Sequence, residues 1–172
     1  MTAAREAVEA VANDLSAKTR DMLAEQAELS RDFGPDDVFR SLKGKCLSTE
    51  AGEYEYEMCW WEATTQKSRK GHGNTGMGNF AGLEYEEADS EERADGRSLG
   101  KGRRMVLRYE SGQSCWNGPQ RKTDVWLACA ETEELWRVSE TEKCVYKMEV
   151  GTPAACDEAA VQEPGIDGKD EL

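Results

Sequence analysis

The sequence predicts an all-β domain of antiparallel strands preceded by one α-helix, and three observations carry that reading. Residues 2 to 32 are rich in Ala, Glu, Leu and Arg and contain neither Gly nor Pro. From Lys45 to Cys156 the texture changes to short aromatic and β-branched runs divided by glycine-containing turns, the pattern of antiparallel strands. Six cysteines, Cys46, Cys59, Cys115, Cys129, Cys144 and Cys156, are spread through that second region.

The helix is expected because Val8, Leu15, Met22 and Leu29 recur at intervals of seven. The companion seam is weak, since Val11 is followed by Lys18 and Glu25 where a coiled coil wants apolar residues. Two readings stay open: a stripe that docks on another surface or continues a longer helix, and a solvated spacer. Gly34-Pro35 ends the helix, and Pro35 is suited to open a short helical turn over Asp36 to Leu42.

Strands are expected over Tyr54 to Ala63, Arg103 to Tyr109, Thr123 to Ala130, Leu135 to Glu140 and Cys144 to Val150. In the last, Val145, Lys147 and Glu149 alternate with Tyr146, Met148 and Val150, which assigns the two sets to opposite faces. Two stretches read as loops, the glycine-rich Gly71 to Gly78 and the acidic Glu84 to Asp95. The first lacks the Gly-Lys-Ser/Thr ending of a phosphate cradle. The second does not have the ligand spacing of an EF-hand, so it reads as a solvated loop rather than a calcium site.

Composition limits the function classes. With 38% hydrophobic and 33% charged residues, the core is expected to be modest and stapled; each disulfide loop contributes roughly 3 kcal/mol in the chain-entropy model. A net charge of −13 disfavours nucleic acid and anionic membranes, and no stretch approaches the ~20 apolar residues of a membrane span.

The last four residues, Lys169-Asp170-Glu171-Leu172, spell the retrieval address of the endoplasmic reticulum lumen, which is read by a retrieval receptor. That compartment is oxidising, so the six cysteines read as three disulfides, with the pairing open among fifteen possibilities. No CxxC pair occurs and His72 is the only histidine, which leaves thioredoxin-like exchange and Cys/His zinc sites poorly supported. No cofactor or metal is expected. Residues 1 to 32 hold no signal-peptide core, so the natural precursor is expected to be longer. Residues 157 to 168 read as an acidic tether for the retrieval signal.

Several motifs then fall in order: Gln66-Lys67 after the second cysteine, Cys115-Trp116-Asn117-Gly118-Pro119-Gln120-Arg121, Glu140 four residues before the Cys144-x-Tyr146 pair, and Thr152-Pro153-Ala154-Ala155-Cys156. Over about Asp32 to Cys156 the chain resembles a mannose 6-phosphate receptor homology (MRH) domain, most closely that of the glucosidase II β-subunit family. The resemblance implies a flattened antiparallel β-barrel or sandwich over residues 34–156, behind the helix of residues 1–33. It implies disulfides Cys46–Cys59, Cys115–Cys144 and Cys129–Cys156. It also implies that Gln66, Arg121, Glu140 and Tyr146 grip a mannose ring, with Trp116 beside them.

Those residue types suit a neutral hexose: a guanidinium donates to hydroxyls, a carboxylate accepts from them, and an amide does both. Each has a plain rival. Arg121 and Glu140 could be a surface ion pair, Tyr146 could face the core, and Trp116 could pack on a disulfide. Glu142 lies too close to Cys144 for the family spacing, so Glu140 is preferred. Lys122, Ala130 and Thr141 replace the family's usual serine, glycine and proline, and none removes a ligand position.

The function implied is a non-catalytic lectin that reads mannose on high-mannose N-glycans and promotes glucose trimming by a separate catalytic α subunit in glycoprotein quality control. The alternatives are a lumenal lectin of glycoprotein degradation, a glycoside hydrolase using two carboxylates, and a structural spacer.

Overall fold

The computed structural model describes residues 2–156. The expected tether over 157–168 and the retrieval residues Lys169 to Leu172 lie outside the described residues. The chain divides into two units, Met1–Phe33 and the part from Gly34 onward.

The first unit is the helix α1 (Thr2–Leu29), which stops short of the expected end at residue 32. Ser30 accounts for the early stop: its hydroxyl donates to the carbonyls of Gln26 and Ala27, both at 3.1 Å, and so competes with continuation of the ladder. Val8, Leu15, Met22 and Leu29 form the expected row and all are exposed.

The second unit opens with two 3-10 turns, Pro35–Asp37 and Arg40–Leu42, where one helical turn was expected. The strands are β1 (Cys46–Ala51), β2 (Tyr54–Cys59), β3 (Ala63–Ser68), β4 (Asn74–Asp89), β5 (Lys101–Glu110), β6 (Lys122–Cys129), β7 (Glu134–Glu142) and β8 (Val145–Thr152). They form one eight-stranded sheet in the order β1-β2-β3-β4-β5-β6-β8-β7. β1 lies against β7, so the sheet curls into a nearly closed barrel. One pair departs from the antiparallel pattern. β6 and β8 run parallel because the short link after β6 carries the chain past the place that β8 later fills.

Four expectations fail locally, each for a physical reason. The run Tyr54 to Ala63 is broken after Cys59 by a tight turn in which Trp61 has φ 58°. The turn makes β2 and β3 a hairpin, and β1 is a further strand that the sequence reading omitted. Much of the expected glycine loop belongs to β4, where the ladder slips between Thr64/Thr65 and between Phe80/Gly82. Glycine serves such bulges: at Gly78, with φ 147°, a Cβ would sit 2.6 Å from the Tyr109 backbone. The acidic stretch through Asp89 is also β4, since Arg108 on β5 gathers its charge. Arg108 binds Glu84 at 2.9 Å, Asp124 on β6 at 3.0 Å, and Glu86. Cys144 is left out of β8, which starts at Val145, because its φ of 64° puts it in the turn rather than in extended backbone.

Inside lie Trp60, Tyr109, Phe39, Met58, Met77, Leu107, Leu127 and Met148, all fully buried. The alternation expected for β8 holds, with Tyr146, Met148 and Val150 buried. Disulfides join Cys46–Cys59, Cys115–Cys144 and Cys129–Cys156. They fasten β1 to β2, the loop before β6 to the β7–β8 turn, and the end of β6 to the residues after β8.

Candidate functional site

Cys144 organises one mouth of the barrel. It sits in the β7–β8 turn with φ 64°, a conformation that costs a non-glycine residue and that a disulfide and two backbone hydrogen bonds hold in place. Its N–H donates to Glu140 Oε1 at 2.7 Å, its carbonyl accepts from the Lys122 N–H at 3.2 Å, and its sulfur is bonded to Cys115. Glu140, the residue after Arg121, and the neighbour of Trp116 therefore converge on one residue.

Tyr146 and Glu140 face each other across the β7–β8 ladder, and Tyr146 also pairs with Thr123 at the start of β6. Through Thr123 this pair joins a buried hydroxyl chain: Thr64 Oγ1 donates to Thr123 Oγ1 at 3.2 Å, which donates to the Met77 carbonyl at 3.1 Å. Gln66 stands on β3 opposite Tyr56 of β2, and its Nε2 donates to the Tyr56 hydroxyl at 3.1 Å.

Tyr56 connects the two groups. Burial pushes its hydroxyl above the usual tyrosine range, the Gln66 hydrogen bond opposes that, and Tyr146, Tyr54 and Glu140 add to the rise. Those neighbours place Tyr56 within electrostatic reach of Tyr146 and Glu140 as well as in contact with Gln66. Sequence reasoning missed Tyr56. The signal was the hairpin register: once β2 and β3 are separated at the Trp60–Glu62 turn, Tyr56 falls directly across from Gln66.

Arg121 ends the loop that precedes β6. Its Nη1 donates to the Gln113 and Ser114 carbonyls at 3.2 and 3.0 Å, and its Nε is buried without a hydrogen-bond partner. Gly112 permits that arrangement, because a Cβ there would lie 2.7 Å from the Arg121 carbonyl oxygen and from the Met77 backbone. Arg121 makes no ion pair among the described residues, so the surface-pair rival with Glu140 does not describe it. Trp116 rides on the preceding turn, where Gly118 N–H bonds the Cys115 carbonyl at 3.2 Å, and is 83% exposed. The structure thus gathers Gln66, Tyr56, Tyr146 and Glu140. It places Arg121 beside the same turn and leaves Trp116 projecting at the rim.

The group offers guanidinium and amide donors, one carboxylate acceptor, two phenolic hydroxyls and one open indole face, a set matched to a polyhydroxylated ring. The family model for the glucosidase II beta subunit-like protein matches residues 4–171. The chain belongs to that family. It is 32% identical over 145 residues to the human glucosidase 2 subunit beta, an alignment covering 84% of this chain and 25% of the relative. It is 34% identical over 153 residues to the Mycosarcoma maydis glucosidase 2 subunit beta, covering 85% and 25%. The chain therefore spans about a quarter of the length of these relatives.

Among solved structures, the MRH domain of glucosidase II beta bound to mannose is similar at 34% identity with a TM-score of 0.50. The match covers 69% of this chain and 99% of that one. The barrel of this glucosidase II beta-like chain is an MRH domain.

Proposed function

We propose that this domain is a non-catalytic lectin that holds a terminal mannose of an N-glycan arm. Gln66, Arg121, Glu140 and Tyr146 contact the ring hydroxyls, Tyr56 adds a fifth polar contact, and Trp116 offers its face to the adjoining residue. The observation that carries the reading is Arg121. Its buried Nε lacks an acceptor beside a turn that also fixes Glu140 and adjoins Trp116. An unpaired buried donor costs roughly 1–3 kcal/mol, which a sugar oxygen would recover.

The local charge supports a neutral sugar over a phosphorylated one, since one guanidinium is balanced by one carboxylate. Glycoside hydrolysis uses a pair of carboxylates, and the group assembled here contributes Glu140 alone. Within the longer protein, the domain would hold glycoprotein N-glycans near the catalytic α subunit in the endoplasmic reticulum lumen, raising the local concentration of glucose-bearing arms. The terminal Lys-Asp-Glu-Leu sequence supports that residence.

Calorimetric titration of the oxidised chain with α-linked mannobiose, beside a glucobiose control and Arg121→Ala, tests the proposal. Binding of mannobiose that the variant loses is expected. No heat at millimolar ligand with all disulfides intact would refute it. Capture of the degradation machinery instead of the α subunit from lumenal extract would shift the cellular role while leaving the sugar site unchanged.

A further inference from the structure

The hairpin that carries Trp116 is tied at two points to the turn between β7 and β8. Its stem is paired by the Gly112 N–H to the Arg121 carbonyl at 2.9 Å, by a bridge between Ser114 and Gln120, and by the Cys115 N–H to the Pro119 carbonyl at 3.0 Å. That pairing leaves Trp116, Asn117 and Gly118 as the tip. The first tie is the Cys115–Cys144 disulfide, on the entering side of the tip. The second comes from the residue before Cys144: Lys143 Nζ donates to the Asn117 carbonyl at 2.9 Å. Trp116 is therefore bracketed, with Cys115 before it and Asn117 after it, each held by one of two consecutive residues of the same turn.

The tip depends on the second tie. A disulfide fixes Cys115 but not the peptide planes beyond it, and Trp116, Asn117 and Gly118 are all exposed, so burial restrains none of them. Asn117 has φ 49°, a left-handed conformation that costs a non-glycine residue energy. The hydrogen bond to its carbonyl fixes the peptide plane between Asn117 and Gly118, and with it that conformation. Gly118 lets both ties close on the tip, because a Cβ there would lie 3.3 Å from Cys115 Cβ and Sγ and 3.3 Å from Lys143 Cε.

The partner of Lys143 sets it apart from other lysines of the barrel unit. Lys67, Lys70, Lys101 and Lys147 each lie within ion-pairing distance of a carboxylate. Lys143 forms no such pair among the described residues, although Glu142 is its chain neighbour and Glu140 lies three residues earlier. Glu140 Oε1 is taken by the Cys144 N–H. An exposed hydrogen bond of this kind adds little to the stability of the barrel, so its consequence falls on the tip.

We infer that Lys143 is a positioning residue for sugar recognition. The inference rests on the sugar reading of this site. Lys143 holds the Trp116 tip in the orientation in which the indole face meets the residue adjoining the bound mannose, and it acts on affinity through Trp116 rather than by touching the ring.

The test is calorimetry of the oxidised full chain with α-linked mannobiose, comparing the parent with Lys143→Met, which keeps the stem and removes the donor, and with Lys143→Arg, which restores one. Lys143→Met is expected to weaken binding about fivefold at an unchanged urea midpoint, and Lys143→Arg to stay within about twofold of the parent. In a Trp116→Ala background Lys143→Met is expected to add no further loss, a non-additivity that a general structural role would not produce. Where Trp116→Ala abolishes binding outright, fluorine NMR of the chain labelled with fluorotryptophan reads the tip directly. Lys143→Met is expected to shift the Trp116 resonance, identified by its loss in Trp116→Phe, and to leave those of Trp60, Trp61, Trp126 and Trp136 in place. Parent affinity in Lys143→Met, a Lys143→Arg chain as weak as Lys143→Met, a loss that persists without Trp116, or an unmoved Trp116 resonance overturns the inference. A parent chain that takes no mannobiose overturns the sugar reading itself, and the role of Lys143 with it.

Discussion

Replacing Arg121 by lysine separates the two duties that the structure gives this side chain. One duty is structural: Nη1 holds the Gln113 and Ser114 carbonyls of the loop. A lysine ammonium retains a charge and reaches one of them, so the loss is about one charge-assisted hydrogen bond at a half-exposed site, on the order of 1 kcal/mol. The other duty belongs to the buried Nε, which has no acceptor in the structure. Lysine has no donor at that position, so it loses the 1.5–3 kcal/mol that a ligand oxygen would return, roughly a tenfold to hundredfold weakening. Calorimetry with mannobiose and urea unfolding read the two duties independently. Affinity within twofold of the parent, at the stated small stability loss, would show that Nε faces no sugar and that Arg121 merely supports the loop.

Four further outcomes follow from the same geometry. Trp116→Ala should leave stability within about 0.5 kcal/mol, because the side chain is 83% exposed, yet weaken mannobiose binding in the same titration. Replacing both Cys115 and Cys144 by alanine frees a link of sequence separation 29 and should cost about 3–4 kcal/mol in urea unfolding, with sugar binding lost even where the fold survives. Arg108→Met leaves Glu84, Glu86 and Asp124 facing one another and should lower stability by roughly 2 kcal/mol, part of which high salt restores; no salt dependence would argue against a charge origin. For Tyr56 the folded state holds the hydroxyl above its ordinary value of 10.0, chiefly by burial. Its contribution is therefore present below pH 10 and lost as pH rises through the folded value. Tyr56→Phe should flatten that alkaline loss relative to the parent, and parallel profiles would remove Tyr56 from the site.

What could be read from the sequence tracks how local its cause is. The helix showed itself through period, and β8 through alternation, because both patterns lie within one element. β4 stayed hidden because its causes lie on other strands. Gly78 is there to let the Tyr109 backbone approach, and the Glu84/Glu86 pair is made tolerable by Arg108, twenty-odd residues away. The parallel β6–β8 pairing was likewise invisible, since it depends on where β7 goes. For the proposed site, residue types and motif order put forward Gln66, Arg121, Glu140 and Tyr146, whereas Tyr56 entered the proposal only through the hairpin register.

The Cys144 turn explains why a modest core can support a demanding site. Glu140 is exposed, Arg121 lies outside any strand, and Trp116 is largely exposed, so burial alone would leave each free to sample many rotamers. A disulfide between Cys115 and Cys144 moves that entropic cost from binding to folding, where it is met once. The same bond ties the site to oxidising conditions. Reduction would detach the Trp116 loop from the Glu140 turn while most of the β ladder remained paired, so loss of sugar recognition should precede loss of the barrel. A site held together in this way is competent only where disulfides persist.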